Sequence, residues 1–123
     1  SFKIETESMS SLLEKSDFLT LHIPLIGDKP VIGEEEFKKM KDGVGIINAA
    51  RGGVIDEVAL LEALKSGKVS SAGLDVFENE PKPDIKVLMH PNISLTPHIG
   101  AATSEAQERI GVELAQKIIN FMN

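Results

Sequence analysis

Five short apolar or β-branched runs, at residues 2–5, 18–23, 44–48, 72–77 and 93–96, alternate along this chain with segments of helical period. The runs are too short for helices, and several are apolar on successive positions, the pattern of strands buried on both faces. Parallel neighbours in a sheet need a crossover of a dozen or more residues, which a helix supplies. The alternation therefore predicts an α/β fold: a parallel sheet of four to five strands with flanking helices.

Each intervening segment has its own punctuation. Residues 8–16 stack Met9, Leu12 and Leu13 on one face behind Ser8 as the cap. Residues 34–41 begin with Glu34, Glu35 and Glu36 and end with Lys38, Lys39 and Lys41, the order that suits the helix dipole, and Gly43 is read as the stop. A third helix takes Asp56 as N-cap, Leu60, Leu61 and Leu64 as its buried stripe, and Gly67 as its end. The fourth starts after Thr103 or Ser104, with Ser104 and Gln107 as a capping box, and lines up Ile110, Leu114, Ile118 and Phe121 almost to the last residue. Residues 78–91 contain Pro81, Pro83 and Pro91 and read as a structured loop with at most one helical turn at 85–89.

At 123 residues the chain has the size of one domain. A net charge of −6 opposes binding to nucleic acid or anionic lipid. With no cysteine there is neither a disulfide framework nor a thiolate metal site, and no metal-ligand set is read from the rest. The absence of a long apolar run excludes a spanning helix, and the cytoplasm is the default location. The first residues already read as a strand and the chain opens on Ser1, which suggests a fragment.

Ligands of parallel α/β sheets bind beyond the carboxyl ends of the strands. Following four successive strands come His22 with Pro24, the run Asn48 to Gly53, the run Asp75 to Pro81, and the run Thr96 to Gly100. These should converge on one rim. Taken singly, His22 reads as a packed or capping histidine and stays outside the catalytic set, and His90 reads as an exposed loop residue. Arg51 is either a surface arginine beside a glycine turn or a planar fork for a carboxylate. Asp75, in an apolar strand, either accepts backbone hydrogen bonds or meets a ligand's amide. Glu80 in isolation is one of several solvated acids. His98 lies just ahead of a helix, and an imidazole there titrates near neutral pH and can move a proton.

Taken together, Asn48-Ala-Ala-Arg51-Gly52-Gly53-Val-Ile-Asp56, Gly73-Leu-Asp75-Val-Phe77-Glu-Asn-Glu80-Pro81 and Thr96-Pro97-His98-Ile-Gly100, in register with Leu21-His22-Ile23-Pro24, resemble the D-isomer-specific 2-hydroxyacid dehydrogenases. Within that family the chain is most similar to the short-type D-3-phosphoglycerate dehydrogenases. The resemblance implies the C-terminal half of a Rossmann-type NAD-binding domain over residues 1–123. It implies Arg51 on the substrate's carboxylate and 2-oxo oxygen, His98 as general acid/base and Glu80 as its partner. It further implies NAD contacts from His22, Pro24, Ala49, Ala50, Asp75, Gly100 and Ala101, with Asp75 on the nicotinamide carboxamide. The loop after Pro24 departs from the family in having no threonine, and the dinucleotide-binding Gly-x-Gly-x-x-Gly turn does not occur, since Gly43-Val-Gly45 opens a strand and no third glycine follows.

Two functional readings follow from these residues. In the first, the parent protein transfers a hydride between NAD and a D-2-hydroxyacid, D-3-phosphoglycerate on the way to serine. In the second, the chain by itself is a folded half-domain or assembly module without turnover. A sheet truncated beside residues 18–23 would either draw the 2–5 strand in as a neighbour or pair with a second copy, so a homodimer is expected.

Overall fold

The computed structural model of the protein describes residues 4–122. In chain order the elements are α1 (Met9–Lys15), β1 (Phe18–Leu21), α2 (Glu34–Lys39), β2 (Val44–Asn48), α3 (Glu57–Ser66), β3 (Val69–Leu74), α4 (Ile85–Leu88), β4 (Ile93–Leu95) and α5 (Ser104–Met122). The four strands form one sheet in the order β1-β2-β3-β4, every pair parallel. This is the α/β architecture that the alternation of runs predicts.

Local signals place most element ends. Ser8 caps α1 by accepting from the Ser11 N–H, Asp56 caps α3 by accepting from the Ala59 N–H, and Gly67 closes α3 in the left-handed conformation. Several boundaries differ from the sequence reading, among them the end of β1, which stops at Leu21 rather than at residue 23. Helix α2 ends at Lys39 with Met40 as its cap, and Gly43 (φ 82°) instead forms the turn into β2, its N–H meeting the carbonyls of Gly67 and Lys68. Strand β3 begins at Val69, which is fully buried and pairs with Val44, and leaves the ladder after Leu74. At α5 it is Thr103, not Ser104, that accepts from the backbone, from the Ala106 N–H, while Gln107 reaches the Ala101 carbonyl. The strand expected at 2–5 lies partly outside the described residues; Ile4 and Glu5 are in no strand, and Ile4 is exposed.

The core occupies one side of the sheet. Leu21, Val44, Ile46, Ala72 and Leu74 meet Leu13, Phe37, Leu60 and Leu64 from the helices, all buried. A fully buried leucine such as Leu60 contributes about 1.5–3 kcal/mol relative to an exposed one. The register places Phe18, Thr20, Gly45, Ile47 and Gly73 on the other side. There the expectation of strands buried on both faces fails: Phe18 is 79% and Ile47 46% exposed. The α5 stripe of Ile110, Leu114, Ile118 and Phe121 is likewise exposed along its length. Among the described residues no helix is long and apolar enough to cross a membrane.

Candidate active site

The four strands end at one rim, and the polar residues beyond them are held there by short-range bonds. At the end of β2, buried Asn48 braces the turn that follows: its side-chain oxygen accepts from the Ala50 N–H at 3.1 Å and its amide donates to the Arg51 carbonyl at 3.1 Å. That turn presents Arg51, whose exposed guanidinium donates to the Ala50 carbonyl at 2.7 Å. Gly52 then passes so close to the segment after β3 that a Cβ on it would lie 1.8 Å from the Phe77 carbonyl oxygen. Only glycine allows this approach, and the approach carries the Arg51 turn against the loop that bears Glu80.

Beyond β3 and β4 two carboxylates organise the chain. Asp75 is buried; its Oδ1 accepts from Thr96 Oγ1 at 2.6 Å and from the Ile99 N–H at 2.8 Å, and its Oδ2 accepts from the Gly100 N–H at 2.8 Å. His98, inside the span so gripped, has φ 56°, a left-handed conformation that few non-glycine residues adopt and that the surrounding bonds must impose. Glu80 accepts from the Phe77 N–H through Oε1 at 3.0 Å and lies 2.8 Å from His98 Nδ1 through Oε2. Burial pushes the Asp75 carboxyl up, but the bonds from Thr96, Ile99 and Gly100, with His98 nearby, outweigh it and hold the group below the usual carboxylate range. Glu80 is also held low, by the His98 bond first and the Phe77 N–H second.

The residues singled out from the sequence fall into three adjoining hollows. Arg51, Glu80 and His98 line a cleft of about 490 Å³ with Pro24, Leu25 and Phe77. His22, Pro24, Ala49 and Ala50 line a second groove that shares Arg51 with the cleft, and the His22 ring is bonded to Thr20 Oγ1 at 2.8 Å. Asp75, Ala49 and Gly100 line a third, an apolar trough over Ile47 and Gly73 on the uncovered sheet face. Ala101 lines none of the three, and its carbonyl is taken by Gln107. His90 is half-buried rather than exposed, its Nδ1 accepting from the Asn92 N–H at 3.2 Å. Thr96 and Asn48 carry bonds that sequence reasoning did not assign. The signal for both was their position at a strand's carboxyl end. Among the described residues no group of three His, Asp or Glu side chains could hold a metal ion.

The chain matches the family model described as the D-isomer specific 2-hydroxyacid dehydrogenase NAD binding domain over residues 1–100. It is 52% identical over 119 residues to the hydroxypyruvate reductase of Thermotoga maritima, covering 94% of this chain and 39% of that protein. It is 47% identical over 120 residues to the D-3-phosphoglycerate dehydrogenase of Archaeoglobus fulgidus, covering 96% of this chain and 23% of that protein. The crystal structure of a glyoxylate reductase from Paecilomyes thermophila superposes with a TM-score of 0.79 at 48% identity, over 86% of this chain and 33% of that one. The chain thus spans well under half the length of these relatives.

The Asp75 grip has a pH signature. Folded Asp75 titrates below its unfolded value of about 3.9, so its charged form contributes stability at neutral pH, and that contribution is lost as pH falls below about 4 through the folded value. Asp75→Asn should therefore be less stable than the unsubstituted chain at pH 7, with the gap between their urea midpoints closing in acid. A gap of the same size at pH 7 and pH 3 would show that the charge of Asp75 is not what holds the loop.

Proposed function

The chain belongs to the D-isomer-specific 2-hydroxyacid dehydrogenases, in their NAD-binding domain, and we propose that in the whole protein it transfers a hydride between NAD and a D-2-hydroxyacid. The observation that carries this reading is the 2.8 Å contact between Glu80 and His98 Nδ1 in a cleft shared with Arg51. An ionised carboxylate only accepts hydrogen bonds, so Glu80 keeps the Nδ1 proton in place and leaves Nε2 for the substrate. In the reducing direction His98 gives its Nε2 proton to the 2-oxo oxygen; in the oxidising direction it takes that proton from the 2-hydroxyl. Arg51 presents a planar fork at the mouth of the cleft, suited to the substrate's carboxylate and to the oxygen beside it.

The residues at the rim fit a dinucleotide's nicotinamide end. The trough over Ile47 and Gly73 offers an apolar floor to a flat ring, with Asp75 and Thr96 at its polar edge. Asp75 has given three of about four acceptor positions to the chain, which leaves one for a carboxamide N–H. Ala49, Ala50, Gly100, Ala101, His22 and Pro24 would line the remaining approach. When bound there, NAD supplies or accepts the hydride. As the finer reading we propose D-3-phosphoglycerate as the substrate, hence a place in serine formation; D-3-phosphoglycerate dehydrogenases of several organisms share 44–47% identity with the chain, alongside the hydroxypyruvate reductase at 52%. A cytoplasmic location suits a chain without cysteine.

His98→Ala should lower turnover of the whole protein by roughly 10² to 10⁴ while NADH binding changes little, as read by steady-state kinetics and fluorescence titration. Arg51→Lys should lose substrate recognition, because a point charge cannot reproduce a fork. A His98→Ala enzyme that keeps most of its turnover would contradict the assignment.

A second reading applies to the chain by itself, as the C-terminal half of a Rossmann-type domain that folds and self-associates without turnover. The uncovered face with Phe18 and Ile47, and the bare α5 stripe, favour it, because association would bury both. Light scattering should then give a dimer, and NADH titration of the 123-residue chain should show no saturable binding in the micromolar range. A monomer over a wide concentration range, or saturable binding, would overturn this second reading.

A further inference from the structure

At the start of α3 a buried carboxylate sits where its cost needs a reason. Glu57 is only 7% exposed, and burial, together with the nearby charges of Glu78 and Asp84, raises its carboxyl above the ordinary range despite the bond it accepts from Glu78. Its contacts are reciprocal: Glu57 Oε1 accepts from the Glu78 N–H at 2.8 Å, and Glu78 Oε1 accepts from the Glu57 N–H at 2.9 Å. Two like charges are thus brought together, which disfavours the pair unless something else is gained. What each receives is a backbone donor. The Glu57 N–H is one of the first-turn donors of a helix that have no partner within it, and the Glu78 N–H lies in the irregular segment after β3.

We infer that Glu57 is a positioning residue for the Glu80–His98 pair, acting by pinning the Glu78 backbone to the N-terminus of α3. The inference rests on the reading of that pair as the acid/base of the proposed reaction. Glu78 lies between Phe77, whose N–H holds Glu80 Oε1 and whose carbonyl is pressed against Gly52, and Glu80 itself. The three residues therefore have one fixed point on α3, one on the Arg51 turn and one at His98. Without the Glu57 carboxylate the Glu78 N–H loses its acceptor and only the flexible Glu78 side chain still reaches the α3 backbone, so the segment's main chain loosens about the Gly52 contact and Glu80 loses its fixed approach to His98. A cap that only stabilised α3 would have no such reach, and Asp56 already caps that helix through the Ala59 N–H.

Two variants separate positioning from plain stability. Glu57→Ala removes the acceptor, whereas Glu57→Gln keeps a carbonyl oxygen at the same reach and removes the charge. In the 123-residue chain, carbon-detected NMR of the Glu80 carboxyl should show its titration moving up toward the ordinary carboxylate range in Glu57→Ala and staying in place in Glu57→Gln. In the whole protein, Glu57→Ala should lower kcat on the order of 10²-fold, the scale of a misplacement of about 1 Å, with KM nearly unchanged because Arg51 stays, and Glu57→Gln should restore it. Should Glu57→Ala not fold, Glu57→Asp, which keeps the charge but falls one methylene short, replaces it in both measurements. An unmoved Glu80 titration in the folded variant, or a Gln variant as impaired as the Ala one, overturns the inference. Lack of turnover in the unsubstituted protein would instead overturn the proposed reaction, and the Glu80 titration would still report on Glu57.

Discussion

Where a strand of a parallel sheet ends, the backbone N–H groups of the next residues have no ladder partner, and each must find an acceptor or face water. In this chain side-chain carboxylates meet that need. Asp75 takes the N–H groups of Ile99 and Gly100, Glu80 that of Phe77, Asp56 that of Ala59, and Glu57 and Glu78 each other's. The buried Asn48 does the same with an amide for Ala50. A charge-assisted bond to a backbone N–H is stronger than a neutral one, so these anchors add to the buried Ala50, Val76 and Phe77 in holding the loops. Every residue assigned to the reaction hangs from one of them. His98 keeps its left-handed backbone because Asp75 holds the two residues after it, and Arg51 is offered by the turn that Asn48 braces.

Much of this fold was legible because two periods alternate and the caps are explicit. Ser8, Asp56 and Gly67 act at the helix ends where their side chains or conformational freedom place them. The rim was legible for a topological reason: parallel strands joined by crossover helices bring all their carboxyl ends to one side. What local reasoning misjudged depends on tertiary contacts. Gly43 looked like a helix stop, yet Met40 ends α2 and the glycine serves the turn into β2. Val69 lies outside the run read as a strand, and its pairing with Val44 is what places it in β3. The alternatives for Asp75 could not be separated from sequence, because its acceptors are filled by Thr96, Ile99 and Gly100, more than twenty residues away. Glu57 was not singled out from the sequence, and only its burial and the exchange with Glu78 set it apart.

The uncovered sheet face and the site are connected through the strands they share. Ile47 and Gly73 lie on that face, immediately before the residues that turn over the rim, so the same surface that is bare in the sheet becomes the floor of the apolar trough beside Asp75. Phe18 lies across Gly45 further down the same face, where a Cβ on the glycine would come within 2.6 Å of the ring. Parallel sheets ordinarily have both faces covered. The helical side here is complete, with Leu60, Val44 and Ile46 excluded from water, whereas the opposite side offers one continuous surface of small and apolar residues that leads to the proposed cofactor approach.

In the proposed reaction Glu80 fixes the protonation geometry of His98, and the His98 ring itself reports whether it does. Nitrogen-detected NMR of the 123-residue chain should show a His98 Nδ1–H that is protected from exchange with solvent, with the Nδ1 signal of a protonated ring nitrogen, and Glu80→Ala should abolish that protection. A His98 whose neutral ring carries its proton on Nε2, or whose Nδ1–H is unaffected by the loss of Glu80, would contradict the account.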